Sequence, residues 1–346
     1  MIDGINHNPS FNTAGRKVGF FTSDKTRGYS GMSKAPPNSQ YKQKQKFRTY
    51  ILVFLAPACL VYTMFMIYPL LSSLGLSFFT ADKAGNESFT GFANFIKLMT
   101  DDLWAPRFWG ALWNNVKFFI VHSLVQNPVG LLLASLLVNQ SLKGRTTFRT
   151  ILFLPTTLSV VIVGFAWQLI LSPLWGVAET GMALFGLEKY FLPWLGLEKY
   201  ALTTLSLVSV WQFIGIPMML FYTGLLGIPH ELVEAATVDG ASGWTVFWRI
   251  KFILILPIVG IVSVLTFVGN FNAFDLVYTT QGVLAGPDYS TDLLGNLFYR
   301  TFFGHQLQLG NPTMGATVAT MMFLIILAFV LLYTYVWQRR VTSYEY

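Results

Sequence analysis

Six apolar stretches, each long enough to cross a bilayer as a helix, constrain this chain more than any other feature of its sequence. The crossing takes about 20 helical residues. The stretches are 49–79, 111–138, 150–175, 201–226, 252–274 and 315–337. Pro57 and Pro69 interrupt the first, and Asn127-Pro128 lies inside the second. Lys117, near the start of the second, is the sole charged residue in any of them. Strands of a transmembrane barrel would be ~10 residues long with alternating polarity, and no such alternation is present. The expected fold is all-α: a polytopic membrane protein with six transmembrane helices within 49–337. Charged residues are 11% of the chain, against roughly 25% in soluble domains. That is too few to cover the surface of an ordinary soluble enzyme.

The net charge of +7 is local. Residues 1–48 carry nine Lys and Arg against Asp3 and Asp24, so the tail accounts for all of it and the remainder is neutral. A neutral body with one basic end offers no binding face for nucleic acid. With the N-terminus inside, the inner segments hold 16 Lys and Arg and the outer loops six. Both termini are therefore expected in the cytoplasm. Ser, Gly, Asn, Lys and Gln dominate 1–48, which reads as a disordered cytoplasmic tail near anionic lipid head groups. It lacks the apolar core of a signal peptide. A start at Met32 would still leave Lys34, Lys42, Lys44, Lys46 and Arg48 before the first span. Residues 338–346 read as a second, short cytoplasmic tail. Cys59, the single cysteine, excludes an internal disulfide and is expected as a small buried side chain.

The inner segment 227–251 interrupts the apolar pattern. Pro229 suits the first turn of a helix, Glu231 and Glu234 complement its dipole, and Gly240 suits its C-terminal stop. This predicts a helix of about three turns, too short and polar to span, followed by an amphipathic stretch ending in Arg249 and Lys251.

Within it, Glu234-Ala235-Ala236, then Asp239-Gly240-Ala241 and Ile250 resemble the EAA motif of permease subunits of binding-protein-dependent ABC importers. The fuller run from Ile228-Pro229 is similar to the sugar-importer branch, the maltose-type permeases. Weaker matches follow in the family's order: Gly91-Phe92-Ala93-Asn94-Phe95, Gly144-Arg145, Phe148-Arg149 with Pro155, Gly286-Pro287, Tyr299 and Gly310. One departure is that the family's Leu-Pro pair falls a turn late, at Leu256-Pro257, which places a bend of the fifth span elsewhere.

The resemblance implies a multi-pass protein of the bacterial cytoplasmic (inner) membrane. It implies separate ATPase subunits, a second related permease, an extracytoplasmic solute-binding protein and a carbohydrate substrate. Glu234, Ala235, Ala236, Asp239 and Gly240 would couple the spans to an ATPase subunit. The chain has no phosphate loop of its own, since the dipeptide Gly-Lys does not occur, and no cofactor is expected. A secondary transporter would need an ion-coupling charge within the spans, and a membrane-embedded enzyme a cluster of catalytic or metal-binding residues. Neither pattern is seen, and His7, His122, His230 and His305 are scattered without metal-ligand spacing.

A sugar needs neutral donors and acceptors with aromatic platforms. The polar residues of the spans are the candidates: Thr156 and Ser159, Trp211 and Gln212, and Asn270, Asn272 and Asp275 beside Phe271 and Phe274. Asn270 falls where the maltose-type permeases carry a substrate-contacting asparagine, as the resemblance implies. For each candidate the alternative is an interhelical hydrogen bond that only holds the bundle together.

Overall fold

A computed structural model describes residues 49–81, 87–305 and 308–338. The expected tail 1–48, and the chain beyond Gln338, lie outside the described residues. The chain forms two compact units, Met1–Ala56 and Pro57–Tyr346. Of the first, the described residues are the opening turns of helix α1.

Helix α1 (Thr49–Tyr62) passes through a π turn, Thr63–Ile67, into α2 (Tyr68–Leu76). A short hairpin follows, with β1 (Phe79–Ala81) antiparallel to β2 (Glu87–Phe89). Then come α3 (Ala93–Thr100) and α4 (Trp104–Val121), which continues through the π turn His122–Gln126 into α5 (Asn127–Val138). Each of these two π turns ends two residues before a proline in the first turn of the next helix, Pro69 and Pro128; two further π turns, Phe247–Lys251 and Thr334–Gln338, lie later in the chain. Proline lacks the N–H for the α-helical bond, and its ring crowds the carbonyl four residues back. Widening the turn relieves that contact without breaking the helix.

Helix α6 (Arg145–Phe153) leads through a 3-10 turn, Leu154–Thr157, to α7 (Val160–Ile170). Helix α8 (Val177–Ala183) precedes α9 (Glu198–Phe213) and α10 (Gly215–Leu226). Next are α11 (His230–Val238), α12 (Gly243–Val246), α13 (Phe252–Leu254), α14 (Leu256–Phe271) and α15 (Asp275–Gln281). Helix α16 (Leu294–Phe303) connects to the last helix, α17 (Pro312–Tyr333), through a hairpin of β3 (Gly304–His305) and β4 (Gln308–Leu309).

Among the described residues, four continuous helices are long and apolar enough to cross a membrane: Val53–Leu76, Trp104–Val138, Leu256–Gln281 and Pro312–Val336. The third and fourth expected spans are instead bent pairs. Residues Arg145–Thr157 and Val160–Ile170 meet at 96°, and Glu198–Phe213 and Gly215–Leu226 at 44°. Pro155 starts the first break, and Leu158 and Ser159 then turn extended, with ψ of 146° and 131°. The fold is mostly helical, as expected, and two short hairpins were not anticipated among the described residues. The late Leu-Pro pair does mark a break: Ile255 leaves helical geometry and Pro257 opens α14.

Buried side chains form three clusters. Phe108 and Ala111 of α4 meet Phe267 and Phe271 of α14, Leu294 and Leu297 of α16, and Val318 of α17. Phe118, Val163, Leu205 and Val277 join α4, α7, α9 and α15. Ala134, Met218, Phe221 and Ile255 join α5, α10 and the start of α14. At Gly315, α17 packs tightly against α16. A Cβ there would stand 2.7 Å from Phe302 Cβ and 2.8 Å from its Cα. Gly315→Val is therefore expected to destabilise the protein by about 1–3 kcal/mol, read as a lower melting temperature in detergent.

Cys59 is exposed, which corrects the expectation of burial. None of the apolar window within Val53–Leu76 is buried. An apolar helix exposed over that length suits lipid or a partner helix rather than water.

Candidate functional site

A cavity of about 410 Å³ opens between the α4–α5 helix, α9–α10 and α14–α15. Its polar walls come from His122 and Gln126 of the π turn, Ser209 of α9, Thr266 and Asn270 of α14, and Asn272 and Asp275 beyond it. Phe118, Phe213 and Phe274 supply aromatic surface. The break between α14 and α15 shapes one side. Asn272 N–H still bonds Val268 O at 3.1 Å, Ala273 N–H reaches Asn270 O at 3.3 Å, and Phe274 leaves helical geometry.

The cavity wall is largely hydrogen-bonded to itself. His122 Nδ1 lies 2.8 Å from Phe118 O, a carbonyl that can only accept, so in the neutral ring Nδ1 carries the proton. Nε2 then accepts from Ser209 Oγ at 3.0 Å. Thr266 Oγ1 donates to Val262 O at 2.8 Å and lies 3.2 Å from Asn127 Oδ1. Asn270 Nδ2 donates to Thr266 O at 2.7 Å, and Asn270 O accepts from Asn115 Nδ2 at 2.9 Å. Asn115 Oδ1 in turn accepts from Leu294 N–H at 2.8 Å, tying α4 to both α14 and α16.

Three of the seven substrate candidates read from sequence line this cavity: Asn270 is buried, whereas Asn272 and Asp275 are exposed on its rim. The other four are elsewhere. Thr156 Oγ1 donates to Gln212 O at 3.0 Å, and Gln212 Nε2 donates to Leu158 O at 3.0 Å. Together they brace the break before α7 against the end of α9. Trp211 packs edge-on against Trp167, with ring centroids 5.6 Å apart, and Ser159 is exposed at the start of α7. Sequence reading missed His122, Gln126, Ser209 and Thr266. The available signal was a polar pair four residues apart, ahead of Pro128, inside an apolar span. Among the described residues, no group of three or more His, Cys, Asp or Glu is placed to hold a metal ion.

The second candidate element is the segment between α10 and α14. Pro229, extended at ψ 132°, starts α11, and no side chain of α11 is buried. His230 Nδ1 and Glu234 Oε1 are 3.0 Å apart on its outer surface. The helix stops in a left-handed cap at Gly240, φ +80°. Ala241 N–H bonds Ala236 O at 2.9 Å and Gly240 N–H bonds Thr237 O at 3.0 Å, the pairing that closes a helix on glycine. Ser242 Oγ then accepts from Thr245 N–H at 3.3 Å to open α12. Val238 is 86% exposed and Trp244 73%. The segment is thus a two-helix corner that offers apolar and acidic side chains away from its own chain.

Residues 126–342 match the family described as the inner membrane component of binding-protein-dependent transport systems. The lactose transport system permease protein LacF of Rhizobium radiobacter is 30% identical over 251 residues, covering 72% of this chain and 82% of LacF. The arabinooligosaccharides transport system permease protein AraP of Bacillus subtilis is 30% identical over 249 residues, covering 71% of this chain and 76% of AraP. A crystal structure of a bacterial ABC transporter, one involved in import of the acidic polysaccharide alginate, shares the fold. Its TM-score is 0.69 at 22% identity, over 84% of this chain and 96% of that chain. With a family match over more than half its length, and with relatives of this identity and coverage, the chain belongs to the inner-membrane permease components of binding-protein-dependent transport systems.

Proposed function

We propose that this chain is one membrane-spanning subunit of an ATP-driven importer that passes a carbohydrate from an extracytoplasmic binding protein into the cytoplasm. The observation that carries this reading is a cavity of about 410 Å³ within the permease fold, walled by apolar, aromatic and mostly uncharged polar side chains with one carboxylate, Asp275, on its rim. Hydroxyl groups and the apolar face of a sugar ring suit such a wall, and a charged solute does not. The named cargoes of LacF and AraP, lactose and arabinooligosaccharides, agree in class.

In this reading the chain has six spans, the two bent pairs each counting as one, with both ends on the cytoplasmic side of a bacterial inner membrane. Residues 1–48 form the basic tail, 49–337 the permease domain and 338–346 the short tail. A second related permease completes the pathway. The segment 227–251 is the coupling region. Glu234 is the charged contact to an ATPase subunit, and Ala235 and Ala236 allow close approach. Asp239 and Gly240 fix the corner that transmits its motion. ATP is hydrolysed on the partner subunits. Alternating access then exposes the cavity to each side in turn.

The test is reconstitution. Vesicles holding the chain with its cognate permease, ATPase and binding protein are expected to take up labelled lactose, maltose or arabinotriose only when ATP is present. Uptake by this chain alone, or failure to co-purify with an ATPase subunit, would refute the proposal. Asn270→Ala is expected to slow uptake roughly tenfold, the size of one buried hydrogen bond. The same assay checks it, with complex assembly followed by gel filtration.

A further inference from the structure

We propose that Gln126, backed by the His122–Ser209 pair, is a second substrate-contacting wall of the cavity and takes a sugar hydroxyl there. This rests on the transport reading above.

The first observation is backbone geometry. His122–Gln126 is a π turn in which Asn127 N–H reaches back to His122 O. It sits midway along an apolar stretch, and both residues at its ends are buried, 3% and 5% exposed. Both also line the cavity. Single π turns inside long helices are often found at functional sites, because the extra residue re-aims the side chains around it. Pro128 supplies a structural reason for the turn, but does not require polar residues at its two ends.

The second observation is an unpaired atom. Five buried side-chain atoms among the described residues have no hydrogen-bond partner: Gln126 Oε1, Gln212 Oε1, Ser290 Oγ, and Nδ2 and Oδ1 of Asn296. Of these residues, Gln126 alone lines the cavity. The neighbouring polar groups are already engaged. Both ring nitrogens of His122 are bonded, the Ser209 and Thr266 hydroxyls are bonded, and Asn270 Nδ2 is bonded. An amide oxygen taken out of water without a donor costs its full desolvation penalty. Oε1 is covered in this structure, and rotation of the Gln126 side chain would turn it toward the cavity, where a ligand hydroxyl supplies that donor. The site suits a neutral hydroxyl rather than a cation, because the side chains around Gln126 offer no carboxylate except Asp275 on the rim.

His122 and Ser209 act as positioning residues. Their bond links the π turn to α9, 87 residues away in sequence, and keeps the turn in register with the cavity. Recognition would then come from two sides of the cavity: Asn270 on α14 and Gln126 on α4–α5.

Gln126→Met tests this, since methionine keeps the length and approximate volume and removes both polar atoms. The experiment uses the reconstituted complex with labelled lactose, maltose and arabinotriose, and follows uptake alongside the melting temperature without sugar. The expected result is a drop in uptake of roughly tenfold with an unchanged or higher melting temperature, because the unpaired acceptor is gone. A packing role alone would lower both together, and that outcome overturns the proposal. Unchanged uptake in Gln126→Met also overturns it. If the wild-type complex carries none of the three sugars, the transport reading itself fails, a result distinct from either.

Discussion

Glu234→Lys is expected to cut ATP-driven uptake roughly a hundredfold while leaving the amount of protein in the membrane unchanged. Glu234 lies on the outer surface of α11, 67% exposed and 3.0 Å from His230. Among the described residues its side-chain partner is the exposed His230, so folding should tolerate the change. A partner that accepts a carboxylate at this point meets an ammonium instead. Misplaced like charges at an interface cost several kcal/mol, and each ~1.4 kcal/mol is a factor of ten. Uptake in vesicles and immunoblotting of the membrane fraction read the two halves separately. Wild-type uptake in this variant would remove α11 from the coupling path.

Arg300→Met is expected to lower stability by about 3–5 kcal/mol, the typical result of leaving one partner of a buried ion pair alone. Arg300 and Asp292 are 2% and 3% exposed. The guanidinium binds the carboxylate through two nitrogens, at 3.2 and 2.6 Å, and also donates to Val283 O at 3.0 Å. Tyr289 stacks at 4.9 Å from Arg300 Cζ. The pair holds a turn in which Ala285, Asp288 and Tyr289 all have positive φ. Such backbone persists only when its surroundings fix it.

Burial pushes the Asp292 carboxyl above its usual range, while Arg300, and more weakly Arg107, pull it back. Without Arg300 only the weaker pull of Arg107 opposes the upward push. The folded form then binds the proton more tightly than the unfolded chain does. Stability of Arg300→Met is thus greatest at acid pH, and falls as pH rises from the ordinary carboxylate value through the raised one. The double variant Arg300→Met with Asp292→Leu is expected to recover most of the loss, because no charge is left buried. Thermal melts across pH check both statements. A single variant as stable as wild type would show the pair to be dispensable.

What could be read from sequence divides by the range of the interactions involved. The corner around Gly240 was legible because its cap, its proline start and its EAA pattern are all local. The apolar stretches were legible because hydropathy sums along one helix. The 96° break was not. Pro155 looks no different in sequence from Pro57, which α1 carries within its length. Only the extended residues Leu158 and Ser159, with Leu158 O and Thr156 Oγ1 both bonded to Gln212, 54 and 56 positions away, make it a break. The cavity shows the same limit. Asn270 was singled out through its place relative to the EAA run. His122 was passed over as one of four scattered histidines, because its partner Ser209 is brought near only by packing of α9.

Helix α11 has nine residues and buries none of them. Isolated helices shorter than ~12–15 residues are marginal in water, and within its own chain this one leans on its Pro229 start, its glycine cap and the exposed His230–Glu234 pair. In the proposed transporter a docked ATPase subunit would cover Val238 and Trp244, 86% and 73% exposed, and add the contacts the helix lacks in its own chain. Helix order and partner binding would then be linked, so that part of the affinity goes into holding the helix in shape.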